Sequence, residues 1–246
     1  MKLIQRIKEL EGITLHDEDG ETHVLHFRSP LSHEALGRLE KSLPCPMPDE
    51  IRELLSITRG FVNGPLGGID FSGGPGGFEF LEIFPCALSI TGTGDGCGNF
   101  WVVDLTKGST SWGPIYFACH DPPLIAYQAP DILEFVEQWL RLGNQDGSST
   151  LGRTLDNAVM KIWRENPGVI SYEVAASSSD RELKSFAENL GDSFLFADLR
   201  RAVVGDGFSW GRFGPRTVVR RHGEKALFAC QKPPPKKTLL KRLFGG

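Results

Sequence analysis

Apolar residues along this chain recur first at helical spacing and then at period two. In MKLIQRIKELEG, Leu3, Ile7 and Leu10 are spaced like one face of a helix, with charges between them. HDEDGETHVLHFRSP predicts a short strand, Val24-Leu25-His26-Phe27, entered through an Asp19-Gly20 turn. LSHEALGRLEKSL reads as a second helix. In LPCPMPDEIRELLSITRGF, Pro48, Asp49 and Glu50 suit a first helical turn. Ile51, Leu54, Leu55 and Thr58 share a face there, and Gly60 suits the stop. The pattern then alternates. GFEFLEIF (77–84), NFWVVDL (99–105) and GPIYFACHD (113–121) predict strands. In the second of these, Trp101, Val103 and Leu105 lie on one face, and Phe100, Val102 and Asp104 on the other. Strands apolar on both faces are covered on both faces or central. PDILEFVEQWL predicts an amphipathic helix that turns Ile132, Phe135, Val136, Trp139 and Leu140 to the core.

Past the polar, Gly-bearing stretch LGNQDGSST (142–150) the same reading continues. LGRTLDNAVMKIWREN is a helix ended by Pro167, and GVISYEVAA is an expected strand. SSDRELKSFAENLG is a helix with Ser178 or Ser179 as cap and Gly191 as stop. DSFLFADL, RTVVRR and EKALFAC read as strands, the last two joined across His222-Gly223. KPPPKK (232–237) favours an extended rod and opens a basic tail.

Composition changes this picture in two places. The five cysteines (Cys45, Cys86, Cys97, Cys119, Cys230) are scattered without a C-x-x-C pair. That argues against a disulfide framework or zinc knuckle and for a reduced, cytoplasmic setting. No secretory leader is expected at the N-terminus, and no apolar run reaches membrane-span length. Charge is divided between the halves. Residues 1–150 hold 10 Lys and Arg against 21 Asp and Glu, a net of −11, whereas residues 151–246 hold 17 against 10, a net of +7. Such asymmetry speaks of partners rather than of fold.

The glycine-crowded stretch TGTGDGCGNFWVVDL (91–105) is the one segment that invites a phosphate loop. A Walker loop needs a Lys that is missing before Lys107. A dinucleotide loop starting at Gly94 has Asn99 where its third Gly belongs, and β-branched and aromatic residues follow where a helix should start. The glycines are therefore read as a reversal between two strands. Cys119 and His120 are adjacent and point to opposite faces of a strand, which is wrong for a catalytic dyad. Pairing Cys97 with His120 and Asp104 would need strand contacts that the sequence does not specify. The histidines lack metal-ligand spacing, so no metal or cofactor is expected.

The order of these pieces, LPCPMPDEIRELLSITRGF, PLGGIDFSG, GDGCGNFWVVDL, GPIYFACHD and APDILEFVEQWL, resembles the SUKH superfamily of SMI/KNR type over roughly residues 1–142. The resemblance implies an α+β domain with a mixed, mostly antiparallel sheet, helices packed around it and a concave binding face. It implies no catalytic residues. Many bacterial members are immunity proteins that neutralise polymorphic toxins, often nucleases, and others are scaffolds. Carried over by position, Gly94, Asp95, Gly96, Gly98 and Asn99 would form the turn, with Trp101, Asp104, His120 and Asp121 on or beside the strands it joins. The expected partner-binding set is thus Asp95, Asn99, Trp101, Asp104, His120 and Asp121. The longer C-terminal half departs from a minimal member. It predicts a second small α+β domain over 150–231 and a Pro-rich basic tail over 232–246. There, arginines interleave with Phe208, Trp210 and Phe213, so that Arg212, Arg216, Arg220 and Arg221 are candidates to contact nucleic acid or the acidic first domain. The leading expectation is a non-enzymatic module that binds a protein, a basic toxin above all. The alternative is a regulatory scaffold whose basic half touches nucleic acid.

Overall fold

The computed structural model describes residues 3–16, 20–64, 67–73, 83–90, 99–105, 112–119, 122–142, 150–209 and 217–232. The first half opens with helix α1 (Leu3–Lys8), strands β1 (Thr14–His16) and β2 (Thr22–Val24), and helices α2 (His33–Ser42) and α3 (Asp49–Ile57). Strands β3 (Gly60–Phe61), β4 (Ile69–Asp70), β5 (Ala87–Ser89), β6 (Phe100–Asp104), β7 (Ile115–Cys119) and β8 (Leu124–Ala129) lead to helix α4 (Ile132–Leu142). The second half contains α5 (Thr150–Glu165), β9 (Val169–Ile170), α6 (Tyr172–Ala176), α7 (Arg181–Leu190), β10 (Phe194–Asp198), β11 (Gly207–Ser209), β12 (Val219–Arg221) and β13 (Leu227–Gln231). The fold is α+β, and the strand pairs among the described residues are antiparallel.

Two larger sheets form the centre, with strand orders β11-β8-β7-β6-β5 and β12-β13-β10-β9. They lie in four layers: helices, five-stranded sheet, four-stranded sheet, helices. Strand alternation builds these layers. Trp101, Val103 and Leu105 of the β6 segment enter a core with α1, α3, α4 and α5. Val102, Tyr116, Ala118 and Ile125 face the other way and meet Ala197, Phe208, Val219, Phe228 and Cys230. The alternate residues Phe196, Leu227 and Ala229 pack instead against Ala175, Leu183, Phe186 and Ala187 of α6 and α7. The two-faced apolar strands of the sequence are therefore interior strands, and β7 is buried along its whole length.

The two sides of residue 150 share a sheet as well as a core. β11 pairs with β8, Phe208 opposite Ile125. Gly207 lies so close to Ile125 that a Cβ there would overlap its carbonyl, and Gly168 approaches Gly207 in the same way. The outer edge of β11 is closed by Asn166, just past the end of α5 at φ 48°. Its amide donates to Ser209 O at 3.1 Å and accepts from Ser209 N at 3.0 Å, which imitates a neighbouring strand. Asn tolerates this left-handed conformation better than most residues, and Pro167 directly after it stops the helix.

Several local expectations need correction. Gly60 does not end α3: Thr58 is its C-cap, and Gly60 starts β3. GVISYEVAA is a two-residue strand followed by a helical turn, because Ser171 caps Val174 N. Asp180 caps α7 in place of the serines, accepting from Glu182 N and Leu183 N. GFEFLEIF falls outside the described residues except for 83–84, which are not strand. β8 and β11 went unrecognised. β12 and β13 do pair across Gly223, which sits at φ 58°.

Candidate functional site

β6 carries two of the expected site residues, Trp101 and Asp104. It pairs with β5 (Ser89 opposite Val102), so the chain enters a strand at Phe100 where a phosphate loop would enter a helix. Asp95 and the rest of the glycine turn lie outside the described residues, as do Cys97, His120 and Asp121. Asn99 is half-buried at the start of the strand.

Trp101 points into the helical side of the core, tilted against Phe117 and Phe135 at 5.2 and 5.7 Å. Its Nε1 donates to Gln128 Oε1 at 3.2 Å. Gln128 Nε2 donates to Gln138 Oε1 at 2.5 Å, and Gln138 Nε2 to Glu134 Oε1 at 3.1 Å. A polar chain thus threads an apolar core from β6 through β8 to the first turn of α4. Each buried amide is satisfied by the next, as burial in a low-dielectric interior demands. Asp131 anchors the outer end by accepting from Glu134 N at 2.9 Å.

Asp104 points to the opposite face, where it meets Arg221. The two side chains are 2% and 4% exposed. Arg221 Nη1 and Nη2 donate to the two Asp104 oxygens at 3.0 and 2.6 Å. The other donors reach Ile83 O, Glu224 O and Lys225 O, each at 2.9 Å. The guanidinium also lies 5.4 Å from the centre of the Phe228 ring. All five N–H donors of the fork are used, the condition under which a buried charge is tolerated. Burial pushes the Asp104 carboxyl up from its ordinary value, against the opposing pull of Arg221's hydrogen bonds and charge. Beside the pair, the Tyr116 ring packs on Phe84 and Tyr127. Its buried hydroxyl has no hydrogen-bond partner among the described residues. Burial first, and then Asp104's charge, raises the Tyr116 pKa far above that of an ordinary phenol.

Asp104, expected to face a protein partner, and Arg221, expected to contact nucleic acid or the acidic first domain, therefore hold each other across the two halves of the chain. Trp101 and Asp104 are inward-facing in this fold. Arg220 is exposed, its Nη1 donating to Val219 O at 3.1 Å. Arg212 and Arg216 lie outside the described residues. Two further cations of the second half are paired within the chain: Arg200 with Asp180, Glu182 and Asp198, and Lys225 with Glu182. Further Lys and Arg stand in the sequence at Arg212, Arg216, Lys236, Lys237, Lys241 and Arg242, outside the described residues. Gln128, Gln138 and Asn166 gave no motif signal. For Asn166 the cue was an Asn directly before a Pro at a helix end.

A protein-family model described as the SMI1 / KNR4 family (SUKH-1) matches residues 30–138. The chain carries a SUKH domain. The SUKH match takes in α2, α3 and β3–β8 and runs into α4; the β1–β2 hairpin lies before it, and α5 and the second sheet lie after it. No curated protein and no solved structure matches the chain. Among the described residues no His, Cys, Asp and Glu side chains gather as a metal site, and no helix is long and apolar enough to cross a membrane.

Proposed function

We propose that this chain is a non-enzymatic protein-binding module, and that its task is immunity: it binds a basic toxin, of nuclease type, and blocks it. The observation that carries this reading is the SUKH match over residues 30–138. The surplus of carboxylates in the first half supports a basic partner. Complementary charge would speed encounter and make the complex sensitive to salt. The internal use of Trp101, Asp104 and Arg221 moves the binding surface away from the β6 faces and toward exposed edges and helices of the first half. The test is to co-express the full chain with a panel of nuclease toxins and score survival and co-purification. Rescue from one toxin, with a complex that weakens as salt rises, is the expected result. Activity of all the toxins in its presence, with no complex formed, overturns the reading.

A second reading has its own observation: Lys and Arg recur through 210–216 and 233–246 of the sequence. A regulatory scaffold that touches RNA or DNA through them would retain labelled single-stranded nucleic acid on a filter with a steep salt dependence. No retention by the full chain at low salt removes this reading.

A further inference from the structure

Cys45 and Cys86 come from separate parts of the chain and enter the same core. Cys45 sits in the connection between α2 and α3, and Cys86 stands just before β5. Both are free thiols. The strand register says where Cys86 points. Ala87 lies opposite Asp104, and Leu105 N donates to Cys86 O at 2.7 Å, so Cys86 extends the β5–β6 ladder by one position. Alternation sends Ala87 to the core between the sheets, and Cys86 and Leu88 to the helical core. Cys45 is buried in that helical core, 5% exposed. Pro44, Pro46 and Pro48 stiffen the backbone that presents it. Burial first, and then the charge of Cys86, raises the Cys45 thiol above its ordinary value.

The two thiols differ in access. Cys86 is half-buried, beside the outermost described strand of its sheet. The other described cysteines are placed differently. Cys119 is buried at the end of β7, two strands further into the sheet. Cys230 faces the core between the sheets, where burial pushes its thiol up to about 12.

We propose that Cys45 and Cys86 are a peroxide-responsive dithiol, whose disulfide ties the α2–α3 connection to the outer strand of the SUKH sheet. Cys86, the more accessible thiol, meets hydrogen peroxide first. Its sulfur attacks one peroxide oxygen: an S–O bond forms, the O–O bond breaks, and the other oxygen leaves as water with the thiol proton. The Cys45 sulfur then attacks the Cys86 sulfenic acid. The S–S bond forms, the S–O bond breaks, and the second water carries off the Cys45 proton. The two sulfurs give up two electrons, and the peroxide takes them. Burial keeps Cys45 a thiol, which suits the resolving step rather than the first attack. A dithiol reductant reverses the bond by exchange. The proposal stands apart from the choice of binding partner.

The experiment exposes the full chain, reduced and then freed of reductant, to equimolar hydrogen peroxide. Remaining thiols are blocked with N-ethylmaleimide. Peptides are mapped by mass spectrometry without reduction, after trypsin and chymotrypsin have cut between Cys86 and Cys97. A Cys45–Cys86 cross-linked peptide from a monomeric chain is expected, with a higher urea midpoint than the reduced chain. Dithiothreitol should reverse both. Cys45→Ser should halt at the sulfenic acid, so that dimedone labels Cys86 several-fold more than in wild type. Cys86→Ser should lose the link and gain no dimedone adduct at Cys45. If either variant fails to fold by far-ultraviolet circular dichroism, the wild-type peptide map decides alone. Absence of the Cys45–Cys86 peptide, preferential linkage to another cysteine or between chains, or dimedone labelling of Cys86 that a folded Cys45→Ser leaves unchanged overturns the proposal.

Discussion

Arg221 and Asp104 illustrate how a buried ion pair behaves once one partner is lost. Replacing Arg221 with Met leaves a 2%-exposed carboxylate without its fork, and a loss of about 3–5 kcal/mol is expected from urea unfolding. Replacing both, with Leu at 104 and Met at 221, should cost far less than the sum of the single changes, because neither charge is then stranded. Tyr116→Phe runs the other way: it deletes a buried hydroxyl that has no partner among the described residues, so stability should stay level or rise by about 1 kcal/mol. A drop of that size would reveal a partner for the hydroxyl. Acid sensitivity is set at a different place. The Leu183 N–H, then Arg200, holds the Asp180 carboxyl below its usual value; Lys225, then desolvation opposed by Arg200, leaves Glu182 low; Arg200 holds Asp198 low. Stability from groups lowered in the folded state is present above their unfolded values and fades as pH falls through the folded ones. Asp104, raised in the folded state, has the opposite sign in the window above its ordinary value. Arg200→Met should therefore flatten the acid limb of stability, read as a smaller drop in urea midpoint between pH 7 and pH 3 than in wild type.

At the scale of elements, Asn166 is the sharpest case. Asn166→Gly keeps the left-handed backbone and removes both bonds to Ser209, so a loss of about 1–3 kcal/mol is expected. Asn166→Ala should lose more, because the φ of 48° is then strained as well. The same stretch shows what the sequence could and could not convey. β6 was legible to the face of each residue, since its apolar positions alternate and both cores accept them. The glycine run before it was legible as a strand connection because aromatic and β-branched residues follow it. β8 (LIAYQA) was passed over: it is nearly all buried, and a short unbroken apolar run has no period to betray it. β11 (GFS) is three residues long and a strand only by virtue of β8 beside it. The candidate site fared likewise. Asp104 was named as a partner-binding residue and Arg221 as a member of a basic cluster that could contact nucleic acid or the first domain, but their pairing spans 117 residues, and no local pattern encodes a contact of that range.

For the whole molecule, the layered arrangement makes the interface between the sheets a structural core. Phe208 and Phe228 pack with ring centres 5.3 Å apart, both fully buried. Phe228→Ala should cost about 3–5 kcal/mol, and the loss should appear equally in tryptophan fluorescence, to which Trp101, Trp112 and Trp139 of the first half contribute, and in far-ultraviolet circular dichroism of the whole, as one transition. Two separated transitions would show halves that unfold independently. The β8–β11 pairing also has a consequence in time. Ile125 must wait for Phe208 to be made, and at roughly 5–20 residues per second the ribosome takes about 4–17 s to deliver it. For that interval the nascent SUKH domain presents Val102, Ala118 and Ile125 without the second-half residues Ala197, Phe208, Val219 and Phe228 that share their core, so newly made chain should depend on chaperones in proportion to how slowly its second half is translated.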